Sequence, residues 1–162
     1  MMQCFRISWW CLGWCLLTPV FVFAQTSDNQ FREIIRTTEP LTPQAEQKSF
    51  TLPPGFEIQL FASEAEIQKP LNMAFDMKGR LWITDSSEYP YPVKPGARGK
   101  DTIKILEDTD GDGRSDKITT FAEGLNIPMG LYPCQNGVIA FSIPDISFYE
   151  DTDGDDKADK VT

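Results

Sequence analysis

The residues best placed to do chemistry in this chain are eight aspartates in two sets of four. Asp108, Asp110, Asp112 and Asp116 fall in Glu107-Asp-Thr-Asp-Gly-Asp-Gly-Arg-Ser-Asp-Lys117. Asp151, Asp153, Asp155 and Asp159 fall in Glu150-Asp-Thr-Asp-Gly-Asp-Asp-Lys-Ala-Asp-Lys160. The sets lie 43 residues apart and hold positions 1, 3, 5 and 9 of their loops. Oxygens on alternate residues, with the ninth brought back by a turn, converge on one centre. That suits Ca²⁺, which takes roughly six to eight hard oxygen ligands at about 2.3–2.6 Å. Without a cation each close pair of these carboxylates repels by about 1 kcal/mol even in a water-like dielectric. Gly113 at position 6 allows the turn; Asp156 stands there in the second loop. Aspartate accepts a left-handed backbone less readily than glycine, so the second site is expected to be the weaker. The alternative is a solvated acidic hairpin that binds nothing.

The elements around the loops must be strands. In an EF-hand a bidentate Glu would follow at position 12, where this chain has Thr119 and Thr162. Thr102–Leu106 before the first loop and Lys117–Phe121 after it alternate apolar with polar and are rich in β-branched residues. That pattern reads strand, loop, strand rather than helix, loop, helix. D-x-D-x-D-G-x-x-D resembles the calcium loops that join strands in some β-propellers.

The rest of the chain repeats around these loops. Leu52-Pro-Pro-Gly-Phe56 is a turn, after which Phe56, Ile58 and Leu60 alternate with polar residues as in a half-buried strand. Pro70–Asp76, a turn at Met77–Arg80 and Leu81–Asp85 read as a β-hairpin. The same order returns downstream, with Pro70 matching Pro128 and Gly79 matching Gly137 at an offset of 58. The 15 residues of Ser86–Lys100, rich in Pro and Gly, account for the difference from 43 as an insertion. A four-stranded unit near 40–45 residues is the repeat of a propeller blade. Closed propellers need about four to eight blades. The fold expected is therefore all-β, an incomplete β-propeller of about two four-stranded blades (residues 51–162), and the chain reads as a fragment of a longer protein. Trp82 is expected to pack between the blades. Asp85, Glu88, Tyr89, Tyr91, Arg98 and Lys100 frame the insertion, where long loops on a propeller face often line a substrate mouth. A plain solvated loop is the simpler reading.

Charge, cysteine and the amino terminus bound the rest. The formal net charge of −9 is local: residues 107–116 and 150–159 hold 11 of the 24 acidic side chains. No basic patch suggests nucleic acid as a partner. There is no histidine, which excludes from these residues a His-dependent triad, a His-ligated zinc and a C-x-x-C-H haem attachment. Arg6 precedes an apolar run from Ile7 to Phe23 that ends at Ala24. This has the parts of a signal peptide (residues 1–24) with cleavage after Ala24, which implies export to a periplasmic or extracellular space. An uncleaved anchor is the rival, and membrane contact is expected only in that case. Residues 25–50 read as a poorly ordered linker. Cys4, Cys11 and Cys15 belong to the leader, so Cys134 is the only cysteine of the mature chain. It is either a buried small hydrophobe or paired outside this chain.

From Phe50 onward the chain resembles the "membrane-bound dehydrogenase" propeller domain of planctomycete-type secreted proteins. The resemblance rests on Leu71-Asn-Met-Ala-Phe-Asp76, Gly79-Arg-Leu-Trp-Ile-Thr-Asp85, Gly124-Leu-Asn-Ile-Pro-Met-Gly130 and the two Asp-rich loops. Such proteins are similar to glucose/sorbosone quinoprotein dehydrogenases. The resemblance implies that the parent protein oxidises a sugar-like small molecule with a quinone and passes electrons to haem c, both cofactors lying outside this segment. No catalytic or cofactor-binding residue carries over, since the related quinoproteins use a histidine base. The fragment alone is then inactive, and its partner is the rest of its own propeller. Two further readings stand beside it: a non-catalytic, calcium-stabilised propeller serving as a binding or adhesion module, and a free-standing calcium-binding protein, which the interrupted repeat disfavours.

Overall fold

The computed structural model describes residues 39–64 and 66–162. The leader and most of the linker lie outside these residues. Among the described residues no helix is long and apolar enough to cross a membrane. The compact unit runs from Leu41 to Thr162. It opens with α1 (Pro43–Gln47), a five-residue helix in the stretch read as linker. Thr42 caps it, its hydroxyl accepting the Ala45 N–H at 3.2 Å, and Pro43 occupies the first turn, where a missing N–H costs nothing.

Eight strands follow and form two antiparallel sheets, each in sequence order. The first contains β1 (Pro70–Phe75), β2 (Leu81–Asp85), β3 (Asp101–Glu107) and β4 (Lys117–Leu125). The second contains β5 (Leu131–Cys134), β6 (Gly137–Ser142), β7 (Asp145–Glu150) and β8 (Lys160–Val161). The architecture is all-β: two four-stranded meanders, as in two successive blades of a propeller that these residues do not close. The expected hairpin is β1–β2, and residues 86–100 form the β2–β3 connection, replaced in the second sheet by Ile143 and Pro144 alone. Each acidic loop joins the third and fourth strands of its sheet, so the flanks are strands and not helices.

One core serves both sheets. Trp82, Ile103, Ile105 and Phe121 of the first pack with Val138 and Ala140 of the second, and Trp82 is only 3% exposed. Trp82 and Phe121 meet edge to face with ring centroids 4.7 Å apart, an arrangement worth about 0.5–1.5 kcal/mol beyond burial. The shared core also corrects the repeat. A uniform offset of 58 would make Trp82 equivalent to Ala140, yet both lie in the core between the sheets. Equivalent residues of successive blades point the same way round, so they cannot face each other. The offset between β2 and β6 is therefore odd, and the hairpin turn absorbs the difference: Asp76–Arg80 in the first, Gln135–Asn136 in the second.

A second correction concerns Phe56, Ile58 and Leu60. They form no regular element and pair with no strand among the described residues.

Buried carboxylates tie the connections down. Asp101, 1% exposed, accepts from Ser86 Oγ (2.6 Å), Ser87 N (2.7 Å), Glu88 N (3.1 Å) and Ile127 N (2.9 Å). It fixes the start of the insertion to the crossing between sheets. Asp85 accepts from Gln68 N and Lys69 N, each at 2.9 Å, and pairs with Lys104 at 2.7 Å. Asp76 caps its own turn through Lys78 N and Arg80 N and receives Trp82 Nε1 at 3.0 Å. Because Trp82 fills the interface and its N–H is matched, Trp82→Ala should cost about 3–5 kcal/mol. Urea unfolding followed by far-ultraviolet circular dichroism measures this, and a loss below about 1 kcal/mol would show that the two sheets do not depend on it.

Candidate metal centres

The strand pairing that frames each loop is continued by an ion pair at its base. Glu107 faces Lys117 and Glu150 faces Lys160 across the ladder, each with an N–O distance of 2.7 Å. Exposed pairs of this kind add little stability, but the identical placement shows that the two loops share one frame.

Inside each loop the backbone gathers the first aspartate. Asp108 accepts from Gly111 N (2.7 Å), Asp112 N (3.2 Å) and Gly113 N (2.8 Å). Asp151 accepts from Gly154 N (2.6 Å) and Asp156 N (2.9 Å). The ninth position is fixed in the same way in both loops. Thr109 donates to Asp116 through its N–H (2.9 Å) and hydroxyl (2.7 Å), and Thr152 does so to Asp159. The result is two groups, Asp108 with Asp110 and Asp116, and Asp151 with Asp153 and Asp159. In each group three carboxylate oxygens lie within 4.8 Å of one another. Such a set can hold a metal ion, and its all-carboxylate donors are those of a hard cation.

Six of the eight expected ligands are thus brought together. Asp112 and Asp155 are not: each turns back to the residue two further on, accepting Arg114 N at 2.8 Å and Lys157 N at 2.9 Å. The fifth-position carboxylate caps the turn in this structure instead of joining the cluster.

Position 6 separates the loops. Gly113 has φ +85°, and a Cβ there would run into the Gln59 side chain. Asp156 adopts φ 62°, a conformation costing aspartate less than most side chains. Its carboxylate reaches Arg80 Nη1 at 2.7 Å, while Arg80 Nε holds Asp76 at 2.7 Å. Arg80 also lies 5.8 Å from the Trp82 ring centroid. The second loop is therefore coupled to the first sheet through the residue that breaks the motif. The ion pair borders a cavity of about 520 Å³ lined by Trp82, Tyr132 and Cys134 among others. Cys134 is half-buried there with a free thiol.

The residues framing the insertion do not assemble a site. Asp85 is committed to backbone amides and Lys104, Glu88 accepts Lys100 N at 3.1 Å, and Arg98 pairs with Glu123 in solvent. Tyr91 is exposed. What sequence reading missed are Asp76, Arg80 and Asp101. A turn aspartate four residues before an arginine was the available signal for the first two.

With this geometry in hand, the comparison with known families is decisive on one point. A domain of unknown function, DUF7133, matches residues 42–162. The chain belongs to this family. The DUF7133 match begins at the cap residue of α1, so that helix is part of the domain. No curated protein matches the chain, and no solved structure does.

Two predictions follow from the loop geometry. Gly113→Ala forces a side chain onto a left-handed backbone and against Gln59, and should cost about 1–2 kcal/mol; an unchanged urea midpoint would contradict it. The second concerns acid. Thr109 holds Asp116 below the usual carboxylate range, first through its hydroxyl and then its N–H. Burial works against the charge of Asp151, but the N–H groups of Gly154 and Asp156 outweigh it and hold that carboxyl low as well. Depressed folded values mean that this stability is complete above pH about 4 and is lost as the pH falls through them. In chelator, the melting temperature of Asp116→Asn should fall less steeply below pH about 4 than that of the parent, and parallel curves would refute the assignment.

Proposed function

We propose that the DUF7133 segment is a calcium-braced pair of propeller blades in an exported protein. Asp108, Asp110 and Asp116 would hold one Ca²⁺, and Asp151, Asp153 and Asp159 a second. The observation that carries this reading is the repetition itself: three carboxylates at the same three loop positions converge in both sheets, on the same strand–loop–strand frame. A bound ion would neutralise the mutual repulsion and fix the loop. At the second site this stiffness would pass through Asp156 to Arg80 and the first sheet. The residues described here hold, orient and brace; the quinone, haem c and sugar-like substrate of a parent dehydrogenase rest on the resemblance alone and concern other parts of that protein.

Binding to the folded state alone stabilises it by about 2.7 kcal/mol at a hundredfold excess over the dissociation constant. For extracellular sites that constant is on the order of 10⁻⁴–10⁻³ M. The melting temperature should therefore rise on going from chelator to millimolar CaCl₂. Asp110→Ala and Asp153→Ala should each remove about half of the rise and the double variant all of it. A melting temperature indifferent to calcium would overturn the proposal.

A further inference from the structure

Residues 126–130 cross from β4 to β5 and hold a strained backbone inside the molecule. Ile127 has φ 45° and is only 3% exposed. A β-branched side chain in the left-handed region is strained, and such strain persists only where the surroundings impose it. Here Asp101 imposes it. Its carboxylate accepts the Ile127 N–H at 2.9 Å and, from the start of the insertion, Ser86 Oγ, Ser87 N and Glu88 N. All four donors are neutral, so this buried carboxylate depends on having every one of them. The third strand of the second sheet also opens with an aspartate, but no insertion precedes it, and Asp145 is exposed.

Asn126 makes a second tie. Its Oδ1 accepts the Val93 N–H from the middle of the insertion at 3.0 Å, and its Nδ2 donates to the Ile143 carbonyl at 3.1 Å. Its backbone N–H donates to Ser142 Oγ at 2.9 Å. Next come Pro128, which is fully buried, and Met129, whose N–H donates to the Phe141 carbonyl of β6 at 3.0 Å. The insertion, 15 residues without a regular element, therefore meets both sheets at residues 126 and 127. Loops of that length are uncommon in compact domains unless they serve a function.

We propose that the insertion (residues 86–100) and the crossing (residues 126–130) form one conformational switch, latched by Asp101 and sprung by Ile127. Lifting the insertion takes three of the four donors from Asp101. The carboxylate then recruits water, and Ile127, no longer held, relaxes out of the left-handed region. Pro128 and Met129 follow, which loosens the bond from Met129 to β6. Displacement of an exposed loop is thereby read out at the seam between the sheets, and the coupling runs equally in reverse. The inference does not draw on the cation reading.

Hydrogen exchange of the full chain, resolved to short peptides by mass spectrometry, tests it. Ser86→Ala alters the insertion side alone. It should nevertheless speed exchange of the Met129 and Gly130 amides about tenfold, together with those of residues 87–93, while β7 is unaffected. Asp101→Asn should speed both segments further; should that variant fail to fold, Ser86→Ala carries the test by itself. Ile127→Gly keeps the N–H and adopts a positive φ without strain. In that background Ser86→Ala should lose most of its effect on Met129 and Gly130. Acceleration confined to residues 87–93, or spread equally over β7, would overturn the proposal. So would transmission undiminished by Ile127→Gly.

Discussion

The structure depends on keeping like charges together. Each acidic loop sets three carboxylates within 4.8 Å of one another, and at such distances repulsion is about 1 kcal/mol per pair in water and about 4 kcal/mol near a protein surface. The chain answers with its own amides: the first aspartate of each loop gathers N–H groups from the turn, and the ninth is held by a threonine. These bonds are local, so each loop is shaped by a dozen residues and can be copied from blade to blade. They fix positions without neutralising charge, which is the part a cation would supply.

That local device matters beyond the loop because of where the second copy sits. The Asp76–Arg80–Asp156 chain connects a hairpin turn of the first sheet to the acidic loop of the second, directly over the Trp82 ring. Below it the apolar core of Trp82, Phe121, Val138 and Ala140 continues from one sheet to the next. Hydrophobic burial supplies the bulk of the adhesion between blades, and the ion pair adds direction. Placing aspartate in a position built for glycine thus trades a modest backbone cost for a tie between blades.

Much of this was legible in the sequence, and for a stated reason. The loops, the β1–β2 hairpin and the insertion are local patterns of residue type, in which turn chemistry and alternation agree. The remaining features turn on which partner a group finds, and residue type and spacing do not name that partner. Asp112 and Asp155 fit the ligand spacing, yet a backbone N–H two residues away claims each of them. Asp156 stands where the motif has glycine, and the partner its carboxylate finds, Arg80, lies 76 positions away. The alternation at Phe56–Leu60 was sound as a pattern, but a strand also needs a neighbour, and none is present among the described residues. α1 is five residues long, too short for periodicity to register, and only its Thr-Pro start marks it.

The account turns on occupancy of the two carboxylate groups, and crystals of the chain grown in calcium test that most directly. The account predicts an ion at the centre of Asp108, Asp110 and Asp116 and another at the centre of Asp151, Asp153 and Asp159. Each should be ringed by roughly six to eight oxygens at about 2.3–2.6 Å. Water alone at both centres, in crystals whose solvent holds millimolar calcium, would contradict it.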